Sequence, residues 1–166
     1  LTTAGDRYRE SWDLRATDTA AFKLYTVLRQ GVTQASSDAI LNEWEAKLPQ
    51  SNLMKITRAG RYMELGNNTD ARTVYEEVIR VAPNSVIALN NLAWIYIDSV
   101  LDAAATIAKR AYDLAGKNGD VVDTYGWILL QQGKTEEAVR ILEEAVELNP
   151  ESDEIRDHLQ AAKARL

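Results

Sequence analysis

The stretch GDVVDTYGWILLQQGKTEEAVRILEEAVELNPES, residues 119–152, decides the fold. Its small residues Gly126, Ala138 and Ala145 are spaced so that two antiparallel helices touch at them, because only small side chains allow two backbones to approach closely. Large apolar residues fill the space around these contacts, and Pro150 ends the stretch. The pattern predicts a unit of two antiparallel helices.

The same pattern recurs at a fixed interval along the chain. The three prolines are Pro49, Pro83 and Pro150, at intervals of 34 and 67 residues. A frame of this period predicts four repeats, which lie at residues 18–51, 52–85, 86–118 and 119–152. The repeat at 86–118 is one residue short, and Ser99 followed by Asp102 predicts a capping box that starts its second helix.

A single helix is predicted at each end of the repeats. Residues 6–15 place Tyr8 and Trp12 on one helical face, and we interpret them as the second helix of a repeat whose first helix precedes Leu1. After Pro150, Ser152 is expected to cap a last helix within residues 153–166. Its outer face is polar, as the end of a repeat array requires.

These repeats resemble the tetratricopeptide repeat, a helix-turn-helix unit of 34 residues. The resemblance implies an all-α fold, namely a right-handed α-solenoid of antiparallel helix pairs with a C-terminal capping helix. We expect about ten helices in a single domain over residues 1–166. Trp44 stands where the family has a small residue, which predicts a wider helix pair or a shifted register in the first repeat.

Composition excludes several classes of function. The net charge is −6 and the pI is near 4.9, which argues against binding to nucleic acid or to an anionic membrane. The chain has no cysteine, so it holds neither a disulfide nor a thiolate metal site. No apolar run approaches the roughly 20 residues that span a bilayer, and the compartment stays undetermined.

The residues for catalysis are sparse. His158 is the single histidine, and we expect it to be a surface residue or a residue of the cap rather than part of a site. Asp120 and Asp123 lie at a helix start, where carboxylates are favoured by the helix dipole, and this interpretation outweighs an acid–base pair. The sequence therefore predicts no catalytic residue, no cofactor and no metal, and we do not expect an enzyme.

The resemblance also implies a binding groove lined by the first helix of each repeat. Carrying over the family's contact positions gives the candidate partner-binding residues Ile56, Met63, Asn90, Asn91, Trp94, Asp123, Thr124, Trp127 and Gln131. Trp94 and Trp127 share one repeat position and are expected side by side, either as an aromatic platform for a ligand or as packing between repeats. The last three repeats lack the basic residues with which some family members hold a carboxylate, so a dicarboxylate ligand is not expected.

A narrower resemblance concerns the strings LNNLAW at residues 89–94 and DTYGW at residues 123–127. They are similar to the C-terminal region of tetratricopeptide lipoproteins of the PEP-CTERM/exosortase system. This implies an exported, lipid-anchored protein of the bacterial envelope; otherwise the protein is expected in the cytoplasm.

The predicted function is that of a non-enzymatic scaffold. It binds a peptide or protein partner, but no nucleic acid, and does not itself insert into a membrane. The alternative is a structural element that self-associates through its N-terminal end or stacks on further repeats.

Overall fold

The computed structural model describes residues 3–31 and 34–166, and the regular structure within these ranges is entirely α-helical. It comprises ten helices: α1 Ala4–Leu14, α2 Asp18–Gly31, α3 Gln34–Lys47, α4 Asn52–Glu64, α5 Asn68–Val81, α6 Val86–Tyr96, α7 Leu101–Ala115, α8 Gly119–Gln131, α9 Thr135–Leu148 and α10 Asp153–Lys163. The predicted all-α class and the expected number of helices are confirmed.

The chain divides into two compact units, with the boundary between Val74 and Tyr75 inside α5. In the first unit, α2 packs against α1 and α3, and α4 contacts both α2 and α3. In the second unit, α6 packs against α7, α8 against α7 and α9, and α10 against α8 and α9. Consecutive helices form antiparallel pairs, while the division into repeats within a single domain stays a prediction.

Two turn glycines help to end the helices α4 and α8. Gly66 and Gly133 have φ of 73° and 77°, a left-handed conformation that glycine adopts without strain. After α4, Gly66 N–H donates to Met63 O at 2.9 Å and Asn67 N–H donates to Tyr62 O at 2.9 Å. The same pair of bonds follows α8, and this pattern satisfies the last carbonyls of a helix.

The closest helix contact lies between α8 and α9. A Cβ atom at Gly126 would lie 2.8 Å from Leu142 Cγ, so only glycine fits there without a shift. Ala138, Leu142 and Ala145 on α9 are each fully buried. The prediction that small residues mark this contact is therefore confirmed.

The short turn before α7 differs from the prediction. The N-cap of α7 is Val100, and no side chain caps the helix. Ser99 N–H and Val100 N–H both donate to Tyr96 O. One carbonyl group thus accepts both of these hydrogen bonds, and the turn after α6 contains no glycine. The predicted capping box of Ser99 and Asp102 is wrong, because α7 begins one residue too late for Ser99 to cap it.

The end helices are anchored by apolar side chains. Trp12 is fully buried and Tyr8 packs against the same cluster in the first unit. Ser152 caps α10 by accepting a hydrogen bond from Ile155 N–H at 3.4 Å, as predicted. Ile155 is buried while Glu154, Arg156 and Asp157 are exposed, so the exposed side of α10 is polar.

The irregular first repeat holds its large residue in the core. Trp44 is 0% exposed and packs in one cluster with Trp12, Leu24 and Leu41. Its Nε1–H donates to Asp18 Oδ1 at 2.8 Å. The indole therefore fills the space in the first unit where the family pattern has a small side chain.

Candidate functional site

The first helices of the pairs in the second unit form one face. Helices α6 and α8 contact each other, and α10 contacts α8. We call the surface of α6, α8 and α10 that carries Trp94, Trp127 and His158 the helix-A face. It contains most of the candidate binding residues named from the sequence.

His158 lies between the two tryptophans of the helix-A face. Its ring stacks on Trp127 with a centroid distance of 4.2 Å and an interplanar angle of 23°. On the other side, the Trp94 ring is 6.0 Å away and tilted by 35°. His158 lies in the capping helix, as expected, but not at its surface: only 14% of its side chain is exposed, because the imidazole inserts between the rings.

A carboxylate holds this imidazole in place. His158 Nδ1 lies 2.9 Å from both Asp123 Oδ1 and Oδ2. A carboxylate only accepts hydrogen bonds, so Nδ1 carries the proton and donates. Asp123 is 4% exposed, and the bond joins α8 to α10.

A second hydrogen bond joins α6 to α8. Trp94 Nε1–H donates to Thr124 Oγ1 at 2.8 Å, and Thr124 Oγ1–H donates to Asp120 O at 2.9 Å. Thr124 is 1% exposed. The hydroxyl thus fixes the orientation of the Trp94 indole, whose half-buried ring remains partly open at the surface.

The two asparagines of α6 have different environments. Asn91 Nδ2–H donates to Tyr75 Oη at 2.8 Å, so this amide has a partner within the second unit. Asn90 lies one helical turn before Trp94, and its buried Oδ1 has no hydrogen-bond partner within residues 3–31 and 34–166. An orphaned buried acceptor costs about 1–3 kcal/mol, and because this oxygen is covered by the protein, a ligand on the surface does not reach it.

The remaining candidates are Gln131, Ile56 and Met63. Gln131 is the half-buried last residue of α8. Ile56 and Met63 are half-buried on α4, in the first unit. The structure therefore groups Trp94, Asp123, Thr124 and Trp127, and it adds His158 to them.

Sequence reasoning missed His158 because it treated α10 only as a cap. In the repeat frame, His158 follows Thr124 by 34 residues and Asn91 by 67. It therefore occupies the same position in α10 that those two residues occupy in α8 and α6. Extending the frame past Pro150 would have placed His158 among the groove residues.

The site offers binding groups rather than a set of ligands for a metal. Among the described residues, no three His, Asp or Glu side chains cluster closely enough to hold a metal ion. Over the same ranges, no helix has the length and apolar character needed to cross a bilayer. What the helix-A face presents is two partly open indoles and one ordered imidazole.

Antiparallel helix pairs repeated along the chain, with a face built from the first helix of each pair, define an α-helical repeat protein. Two family models described as tetratricopeptide repeat match residues 56–119 and residues 101–166. Together they cover the chain from α4 to its last residue, and the chain is a tetratricopeptide repeat protein. No curated protein matches the chain.

Solved structures of similar fold include several tetratricopeptide proteins. MamA from Desulfovibrio magneticus RS-1 superposes with a TM-score of 0.71 at 16% identity, over 89% of this chain and 84% of that one. The first TPR domain of Spaghetti (RPAP3), bound to the HSP90 peptide SRMEEVD, gives a TM-score of 0.64 at 21% identity, over 69% of this chain and 94% of that one.

An O-GlcNAc transferase from Thermobaculum terrenum gives a TM-score of 0.65 at 22% identity over 67% of this chain. The match spans only 22% of the length of that transferase. At these identities, the similarities establish the fold.

Proposed function

We propose that the protein is a non-enzymatic interaction module that binds a peptide or protein segment on the helix-A face. The observation that carries the proposal is the cluster of Trp94, His158 and Trp127, in which two indoles are ordered by neighbouring side chains and yet stay partly open. Aromatic side chains that are rigid before binding lose little conformational entropy on contact with a partner.

The hydrogen bonds beneath the rings support this proposal. Thr124 holds the Trp94 indole and Asp123 holds the His158 imidazole, so the partner meets a surface that is already arranged. Peptide binding by the similar Spaghetti domain is consistent with this use of the fold.

The same contacts favour binding over catalysis. Asp123 and His158 form a carboxylate–imidazole pair, which in a hydrolase activates a nucleophile. The neighbouring Thr124 hydroxyl is committed to the Trp94 indole and to Asp120 O. We therefore propose that the pair has a structural role and that the module has no enzymatic activity.

Self-association through the N-terminal end is the competing proposal. Leu14 on α1 is 80% exposed, and an apolar residue at this place suits stacking on another helix pair. Sedimentation velocity over a wide concentration range separates the two proposals. A species that stays monomeric at high concentration removes self-association, whereas a dimer that Leu14→Ser abolishes would support it.

The cellular setting that we propose follows the sequence resemblance alone. The strings at residues 89–94 and 123–127 suggest an envelope lipoprotein of the PEP-CTERM/exosortase system, active in protein sorting and in exopolysaccharide production. Fractionation of cells that carry the full-length gene tests this setting. Recovery in the detergent-extracted envelope fraction is expected, and recovery in the cytosol would contradict it.

Affinity capture tests the binding face. The chain is used as bait beside a Trp94→Ala/Trp127→Ala variant, and recovered proteins are quantified by mass spectrometry. A matched control is Leu114→Ala/Leu148→Ala, which removes two partly exposed apolar residues of α7 and α9. We expect the tryptophan variant alone to lose the partner; unchanged recovery with intact helical circular dichroism would rule out this face.

A further inference from the structure

The charged residues of the helix-A face are predominantly acidic. Helix α6 has no charged residue, and α8 carries Asp120 and Asp123 but no lysine or arginine. The turn after α6 adds the exposed Asp98, and α10 adds the exposed Glu154 and Asp157. The charged residues of α8 and of the turn after α6 are therefore all acidic, and α10 adds two exposed carboxylates.

The basic residues of α10 do not neutralise these carboxylates. Arg156 pairs with Asp153 on the same helix. Lys163 Nζ lies 2.8 Å from Glu143 Oε1 of α9. Both cations are thus engaged elsewhere.

Four carboxylates on or beside this face lack a cationic partner. Within residues 3–31 and 34–166, no ion pair involves Asp98, Asp120, Glu154 or Asp157. The Asp120 carboxylate accepts a hydrogen bond from the neutral Asn149 amide at 3.3 Å. Negative charges that have no positive charge beside them attract a cationic partner and repel an anionic one.

We propose that the occupant of the helix-A face is a basic, extended segment of a partner protein, with lysine or arginine side chains spaced along it. This inference rests on the proposed binding function and specifies the chemistry of the ligand. The face carboxylates attract the cations, and the partly open Trp94 and Trp127 rings offer cation–π contacts.

The proposed ligand differs in charge from the peptide that a domain of the same fold binds. The peptide SRMEEVD, bound by the Spaghetti domain, has three carboxylate-bearing side chains, Glu, Glu and Asp, among its last four residues. A ligand of that charge would meet Asp98, Asp120 and Asp157 here without a compensating lysine or arginine on α6 or α8. We therefore expect this chain and the Spaghetti domain to share a fold but to bind ligands of opposite charge.

Three fluorescent peptides of equal length test the proposal. They alternate serine with lysine, with glutamine or with glutamate, and their affinity for the intact chain is measured by anisotropy at low and at physiological salt. We expect the lysine–serine peptide to bind most tightly and its affinity to fall as salt rises. Preferred binding of the glutamate–serine or glutamine–serine peptide would overturn the proposal.

Two triple variants locate the interaction. Asp98→Asn/Asp120→Asn/Asp157→Asn neutralises the face and is expected to weaken lysine–serine binding about tenfold or more. Glu136→Gln/Glu147→Gln/Glu151→Gln removes the same charge from exposed positions on and after α9, and we expect it to change the affinity less than about twofold. Equal losses would show attraction to the net charge of the whole chain and would overturn the proposal.

The outcomes also distinguish this inference from the proposed function. Binding of the acidic or neutral peptide that Trp94→Ala/Trp127→Ala abolishes would keep the binding face and refute its preference for basic ligands. Lysine–serine binding that survives the tryptophan variant but not the Asp98→Asn/Asp120→Asn/Asp157→Asn variant would keep the charge preference and refute the aromatic site.

Discussion

The two units use tryptophan in opposite ways. In the first unit, Trp12 and Trp44 are 0% exposed, and each indole N–H is bonded to a carboxylate, Glu43 at 3.2 Å for Trp12 and Asp18 at 2.8 Å for Trp44. In the second unit, Trp94 and Trp127 are partly open and flank His158. One pair fills a core, while the other pair forms a surface.

The difference shows that residue type alone does not decide a tryptophan's role. Trp44 takes the place of a small residue inside a helix pair, so its ring occupies the core. Trp94 and Trp127 hold equivalent positions on first helices, where the next helix supplies only a partial cover. From α10, the imidazole of His158 covers part of both indole rings.

The largest expected effect is on the core pair. Trp44→Ala leaves a cavity in the first unit and is expected to cost about 3–5 kcal/mol of unfolding free energy. Trp127→Ala, at a half-buried position, is expected to cost roughly half as much. Urea unfolding followed by circular dichroism measures both, and equal losses would mean that Trp127 is a core residue as well.

The second unit has its own core, against which the half-buried Trp127 packs from outside. Leu142→Ala is expected to cost about 2–5 kcal/mol, and Gly126→Ala alone about 1–3 kcal/mol from overpacking. Because a Cβ at Gly126 would meet Leu142 Cγ at 2.8 Å, the clash is expected to disappear in the Leu142→Ala background. Additive losses in this double-mutant cycle, or a Leu142→Ala variant as stable as the parent, would reject the α8–α9 contact.

A smaller effect is expected when the indole N–H of the surface pair is removed. Trp94→Phe keeps an aromatic ring but loses the bond to Thr124 Oγ1, so we expect a loss of about 0.5–1.5 kcal/mol in unfolding free energy. Thr124→Val removes the other partner. If the bond orders the indole, each variant weakens ligand binding. A double variant that binds the ligand no more weakly than either single variant would show that the two side chains act through the same hydrogen bond.

The smallest effect concerns acid stability of the first unit. Burial raises the pKa of Glu43, but hydrogen bonds from Arg9 and Trp12 outweigh burial, and the net result is a pKa below the usual value. A carboxyl with a lowered pKa stabilises the fold above its unfolded pKa, and this contribution is lost as pH falls through the folded pKa.

Since the Glu43 side chain is 36% exposed, solvent screening limits the stabilisation to less than about 1 kcal/mol. Glu43→Gln is expected to flatten the acid side of the stability profile in urea titrations at a series of pH values. An unchanged profile would remove Glu43 from the account of the first unit.

Much of the fold was predictable, because it depends on local spacing. The positions of Gly126, Ala138 and Ala145 predicted the α8–α9 contact, and Ser152 predicted the start of α10. The turn before α7 was not predictable from a capping motif, since its geometry depends on where α6 ends. The partly open environment of Trp94 and Trp127 depended on a residue from α10, which the repeat frame places beside them only if it is extended past Pro150.

The most direct measurement uses the four tryptophans of the chain as internal reporters. Each gives one indole N–H resonance in a nitrogen–proton correlation spectrum, assigned by tryptophan-to-phenylalanine variants. Titration with the lysine–serine peptide is expected to shift the Trp94 and Trp127 resonances and to leave those of Trp12 and Trp44 in place. Saturable peptide binding in which Trp94 and Trp127 do not move, or in which all four resonances move alike, would contradict the assignment of the helix-A face as the binding surface.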